Sequence, residues 1–101
     1  MARRRVVVTG LGIIAPVGIG VQQSWSNILA GKSGIGRITR FDPSAYPSQI
    51  AGEVKDFDVS KYVSPKEARR FDTFIHYGLA AAIESIQDAG LDFEHLDRER
   101  M

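Results

Sequence analysis

The sequence has no cysteine, only two histidines (His76 and His95) and a single tryptophan. Without cysteine there is no disulfide scaffold, no thiolate-ligated zinc or iron–sulfur site, and no cysteine nucleophile within the sequence. Two imidazoles are too few for a histidine-rich metal centre. Acidic residues are missing from the first part of the chain: none precedes Asp42, whereas Arg3, Arg4, Arg5, Lys32, Arg37 and Arg40 do. The net charge is nonetheless only +1, so the total does not indicate a nucleic-acid partner. Arg3–Arg5 read as a solvated lead-in that blunts the edge of the following strand, with a phosphate-binding arm as the alternative. A long hydrophobic run is also lacking. Val6 to Val21 is largely apolar but is broken by Gly10, Gly12, Pro16, Gly18 and Gly20. A membrane-spanning helix needs about 20 uninterrupted apolar residues, and a signal peptide needs a helix-competent centre. The expectation is a cytoplasmic chain with no membrane partner.

What is present is ordinary for a globular protein. Hydrophobic residues make up 44% and charged residues 25% of 101 residues, which argues against disorder. The length bounds the chain as one small domain or a piece of a larger one. The β-branched run Arg5–Thr9 predicts a buried, parallel central strand, apolar on both faces. A glycine-rich turn follows from Gly10 to Gly20. A first helix is expected from about Val21 to Ala30, with Trp25 as a core anchor and Gly31 as its left-handed stop. Gly31 to Gln49 reads as a long irregular connection, and Ile50–Phe57 as an edge strand on which Glu53 and Lys55 meet water. The second helix is expected to run unbroken from Pro65 to Ala89, roughly 37 Å at 1.5 Å per residue. Ser64 is its N-cap, Pro65 takes the first helical position and Glu67 completes a capping box. Ala68, Phe71, Ile75, Leu79, Ala82 and Ile86 mark its buried stripe. Gly78 to Ala82 is nearly free of bulk, so another element can approach closely there.

Several motifs invite a chemical reading. Gly10-Leu11-Gly12-Ile13-Ile14-Ala15 matches the G-x-G-x-x-A form of a dinucleotide-binding turn. Such a site needs a helix that starts within the motif, and Pro16, Gly18 and Gly20 delay it to Val21. A tight strand-to-loop turn is the competing reading. Gly31-Lys32-Ser33 imitates the end of a P-loop, but Ser26 stands where the first glycine belongs and the tripeptide follows a helix. No Ser–His–acid arrangement is supported. His76 lies four residues after Asp72, so a local pair on one helix face is expected, and His95 is expected in solvent. Lys66, Arg69 and Arg70 stand near the start of the long second helix. Cations there are disfavoured by about 0.3–1 kcal/mol each. They form either a solvated charged face or a docking site for an anionic partner.

Taken in order, four stretches resemble the N-terminal segment of the bacterial β-ketoacyl-acyl-carrier-protein synthases, in particular the elongating type II (KAS II) branch of this thiolase-like family. They are Arg4-Arg5-Val6-Val7-Val8-Thr9-Gly10-Leu11-Gly12 with Pro16-Val17-Gly18; Leu29-Ala30-Gly31-Lys32-Ser33-Gly34-Ile35; Phe41-Asp42 with Ala51-Gly52-Glu53-Val54; and Asp72 to Leu91. Ala15 stands where family members commonly have serine.

The resemblance implies an α/β fold: the N-terminal portion (residues 1–101) of the first of two thiolase-like halves, layered as helix, sheet, helix, sheet, helix. It implies an acyltransferase of fatty acid biosynthesis, performing a decarboxylating Claisen condensation of an acyl thioester with malonyl-carrier. It also implies a homodimeric parent enzyme and an acidic acyl carrier protein as partner. The family's basic docking residues match Lys66, Arg69 and Arg70. The family's cysteine nucleophile and two histidines lie beyond the matched region, and neither His76 nor His95 matches them. The expectation is therefore a chain with no catalytic, cofactor or metal residues of its own, inactive by itself. A carrier-binding fragment without catalysis, and a small nucleotide-binding domain using Gly10–Ala15, are the alternatives.

Overall fold

The computed structural model describes residues 3–100. Its elements run in order as β1 (Ile14–Ala15), β2 (Gly18–Ile19), α1 (Val21–Leu29), β3 (Ile35–Arg37), β4 (Ile50–Gly52), α2 (Pro65–Arg70) and α3 (Thr73–Ala89), with single 3-10 turns at Val59–Lys61 and Arg98–Arg100. The strands form two separate antiparallel pairs. In one, Ile14 faces Ile19 and Ala15 faces Gly18 around the Pro16-Val17 turn. In the other, Ile35, Gly36 and Arg37 face Gly52, Ala51 and Ile50. The expected edge strand is thus shortened to Ile50–Gly52, and the connection before it supplies its partner.

Two of the expected elements fail to form as read, each for a physical reason. Arg5–Thr9 is irregular, and Val6, Val7 and Val8 are 91%, 72% and 79% exposed. A strand needs hydrogen-bonded neighbours, and both ladders among the described residues are two-stranded pairs that exclude this run. The second helix is broken. Phe71 is extended (φ −116°, ψ 143°), which ends α2 after six residues. Asp72 then starts α3 by accepting the Thr73 amide at 2.8 Å. An Asp side chain competes for nearby backbone N–H groups and favours such a cap over a helix interior.

Other signals hold. Ser64 Oγ accepts the Glu67 amide at the start of α2, with Pro65 in the first position. Gly90, at φ 65°, closes α3 in the left-handed region. Gly31, at φ 71°, follows α1 in the same way.

Burial is sparse. Ser24, Pro43 and Ala80 alone are buried among the described residues. Trp25, expected in a core, is 58% exposed. It lines a hollow of about 270 Å³ with Leu11, Ile13, Val21 and Ile28. No helix among the described residues is long and apolar enough to cross a membrane.

Candidate functional site

The glycine turn and α3 meet at close range. A Cβ at Gly10 would lie 2.2 Å from the Ser85 carbonyl oxygen, and one at Gly12 would lie 1.9 Å from that of Ala81. Only hydrogen fits at either position. Of the small-residue run foreseen at Gly78–Ala82, Ala81 meets the turn while Gly78 faces open space, and the close-packed face continues through Ser85 and Ala89.

Carboxylates on the same face of α3 bind the turn. Asp88 Oδ2 accepts the Leu11 amide at 2.9 Å. Glu84 Oε2 accepts the Ile13 amide at 3.1 Å, and its Oε1 accepts the Val21 amide at 2.7 Å, the first N–H of α1. This geometry opposes a dinucleotide site at Gly10–Ala15. The amides that would face a pyrophosphate are engaged by two carboxylates, which would also repel it. Residue-type motifs do not reveal Glu84 and Asp88. The available signal is an acid pair at i, i+4 on an otherwise uncharged helix, beside the smallest residues.

A second polar cluster fastens the β3–β4 hairpin. The Glu53 side chain, expected in water, is only 10% exposed. It accepts the Thr39 amide at 2.9 Å, the Thr39 hydroxyl at 3.2 Å and the Arg40 amide at 3.3 Å. The Thr39 amide is the main reason its carboxyl lies below the ordinary carboxylate range. Arg40 Nε approaches Glu53 at 3.8 Å, and its Nη2 donates to the Tyr77 hydroxyl on α3 at 2.9 Å. Tyr77 in turn meets Phe57 edge-on, with centroids 5.1 Å apart, and Phe57 stacks on Tyr62. This chain of contacts carries the hairpin and the Val59–Lys61 turn onto α3. Asp58 caps that turn by accepting the Ser60 hydroxyl at 2.6 Å and its amide at 3.0 Å, and these bonds hold its carboxyl low.

The three predicted site residues share the short helix α2. Lys66, Arg69 and Arg70 are all exposed, and none takes part in an ion pair among the described residues. Spacings of three and four put Arg69 and Arg70 on the same side as Lys66. The break at Phe71 changes their electrostatics. Arg69 and Arg70 occupy the last turn of α2, where the helix dipole favours cations, rather than the disfavoured early turns of a long helix. Their placement therefore carries no penalty that would itself argue for an anionic partner. Lys66 alone remains in the first turn.

The histidines stand apart from both clusters and from each other. His76 Nε2 lies 2.9 Å from the Ala68 carbonyl oxygen, not on Asp72, whose side chain is the α3 cap. His95 is exposed and pairs with Asp92 at 2.5 Å. No group of three or more His, Asp or Glu converges to hold a metal ion among the described residues.

Residues 3–101 match the model of the β-ketoacyl synthase N-terminal domain. The chain is 46% identical over all 101 residues to the 3-oxoacyl-[acyl-carrier-protein] synthase 2 of Vibrio harveyi and covers 24% of that protein. The synthases of the same name from Coxiella burnetii and Staphylococcus aureus (strain COL) are 43% and 42% identical, over 100% and 97% of this chain and 24% of each relative. Among solved structures, the ishigamide ketosynthase/chain length factor aligns with a TM-score of 0.79 and 38% identity, over 94% of this chain and 24% of that one. A type II PKS acyl-carrier protein in complex with its ketosynthase aligns with a TM-score of 0.70 and 31% identity, over 95% of this chain and 25% of the other. The chain thus spans about a quarter of the length of the relatives it matches. Its glycine turn, its small-faced α3 and its cation-bearing α2 all lie within the matched span, and the chain belongs to the β-ketoacyl synthase family.

Proposed function

We propose that this chain is the N-terminal part of a 3-oxoacyl-[acyl-carrier-protein] synthase, where it forms part of the first α/β half and presents a docking helix to the carrier. The observation that carries the reading is collinearity. Identity of 42–46% runs through 97–100% of the chain against synthases of one activity. In the reaction proposed for the whole enzyme, a thiolate takes the acyl group and releases the carrier thiol. Malonyl-carrier then loses carbon dioxide, and the resulting enolate attacks the acyl thioester, which regenerates the thiolate. The sequence has no cysteine to serve as that thiolate. Its share of the function is therefore scaffold and docking, with homodimerisation belonging to the whole enzyme.

Lys66, Arg69 and Arg70 are the proposed carrier contacts. They are three cations on one exposed side of α2, with no ion-pair partner among the described residues, suited to a surface rich in carboxylates. Such a contact steers encounter more than it adds affinity, so it weakens as salt rises.

The test is a graft. A chimera in which this chain replaces the first quarter of the Vibrio harveyi relative is expected to form 3-oxoacyl product from acyl- and malonyl-carrier, whereas the chain alone is expected to form none. Turnover by the pure chain, or a folded but inactive chimera, would overturn the reading.

A further inference from the structure

The break at Phe71 leaves α2 with a problem that His76 solves. In an unbroken helix the Ala68 carbonyl would accept the amide of Asp72, four residues on. Phe71 is extended, so that bond is lost and the last carbonyls of α2 are left without helix partners. His76, on the first turns of α3, places Nε2 2.9 Å from the Ala68 oxygen. A carbonyl oxygen only accepts, so the ring nitrogen carries the hydrogen and donates it. This is the only side-chain hydrogen bond joining α2 to α3 among the described residues. A six-residue helix is far below the length that is stable by itself. Its orientation therefore depends on what it packs against, the Val59–Lys61 turn on one side and His76 of α3 on the other.

We infer that His76 is a positioning residue that locks α2 onto α3 and so sets the direction in which Lys66, Arg69 and Arg70 face an acidic carrier protein. The inference rests on the docking reading above. His76 touches neither the carrier nor any reacting group. It acts by holding the helix that bears the cations. Ala68 lies between Lys66 and Arg69 in sequence, so a swing of its carbonyl moves all three cations together.

The discriminating variants follow from reach. Glutamine carries an N–H donor the same number of bonds from Cα as histidine Nε2, whereas the amide of asparagine stops one bond short and that of leucine is absent altogether. Binding of an acidic acyl carrier protein to the chimera described above, which carries this chain as its first quarter, would be measured calorimetrically at low salt, beside amide exchange of residues 66–89. H76L and H76N are expected to weaken binding about two- to tenfold, the effect of one net hydrogen bond. They should speed exchange in α2 while leaving residues 80–89 protected. H76Q is expected to restore both. If K66E/R69E/R70E abolishes binding but H76L leaves it unchanged, the inference fails and the docking reading stands. If the charge reversal itself has no effect, the docking reading fails. If H76Q binds as weakly as H76L, the donor role is wrong.

Discussion

The Glu84 carboxylate uses its two oxygens on two different parts of the chain, the Ile13 amide before β1 and the Val21 amide that opens α1. Removing it leaves both donors without their charged acceptor, and a hydrogen bond to a charged group contributes about 1.5–3 kcal/mol. E84A is therefore expected to raise the exchange rates of the Ile13 and Val21 amides roughly tenfold or more. E84Q keeps one acceptor oxygen and should spare only one of the two. The neighbouring glycines act by absence. A methyl at Gly12 cannot fit 1.9 Å from the Ala81 oxygen, so the turn or α3 must move. Overpacking of this kind costs about 1–3 kcal/mol. G12A should accordingly increase amide exchange of residues 81–89 about tenfold, with G10A close behind, whereas G78A, which meets nothing within 4 Å, should leave it unchanged. The positional requirement at Gly10 and Gly12 was legible as a tight packing turn. Its partner was not, because Glu84 and Asp88 lie more than 70 residues away in sequence.

Among the elements, the β3–β4 hairpin, like the turn capped by Asp58, is held by a carboxylate and should respond to acid. Backbone and hydroxyl donors of Thr39, with the Arg40 amide, favour the charged form of Glu53, so its pKa is lowered from 4.5. A depressed carboxylate contributes stability that is present above its unfolded value and is lost as pH falls through the folded one. The Thr39 amide resonance is expected to titrate with a midpoint below 4.5 in the native chain and to be flat in E53Q. A midpoint at or above 4.5 would contradict the assignment. The helices teach a different lesson about reading sequence. Periodicity marked Ala68 to Ile86 as one stripe, and side-chain spacing alone does not reveal a backbone break at Phe71. The local clue was Asp72, a better cap than interior residue, two residues after the Arg69-Arg70 pair. D72A is expected to remove about 1 kcal/mol of cap stabilisation and fray the first turn of α3, seen as faster exchange of the Thr73 to His76 amides. The same substitution should loosen the His76–Ala68 contact, since His76 lies within that turn. Unchanged exchange across those four residues would show that the cap is dispensable.

At the scale of the whole molecule the chain is open. Its radius of gyration is 17.7 Å, against about 13 Å for a compact domain of this length. It exposes 8453 Å², where a folded monomer of its mass exposes about 5,700 Å². The excess is apolar in kind: Val6, Val7 and Val8 lie bare, as do Trp25, Leu29 and Phe74. Contiguous apolar exposure such as that of Val6–Val8 marks a surface suited to being covered. A run that is apolar on both faces needs a strand on either side to become a central strand, and neither ladder among the described residues supplies one. The isolated chain is accordingly expected to bind a hydrophobic dye, to melt without a sharp transition, and to associate as its concentration rises. Sedimentation and calorimetry on the same sample decide the matter. A single cooperative transition at monomeric mass would mean that the two hairpins and α3 suffice as a core, and the apolar run would then need another explanation. Association that is suppressed when V6K/V8K is introduced, with the exchange pattern of α3 unchanged, would locate the sticky surface on the bare valines.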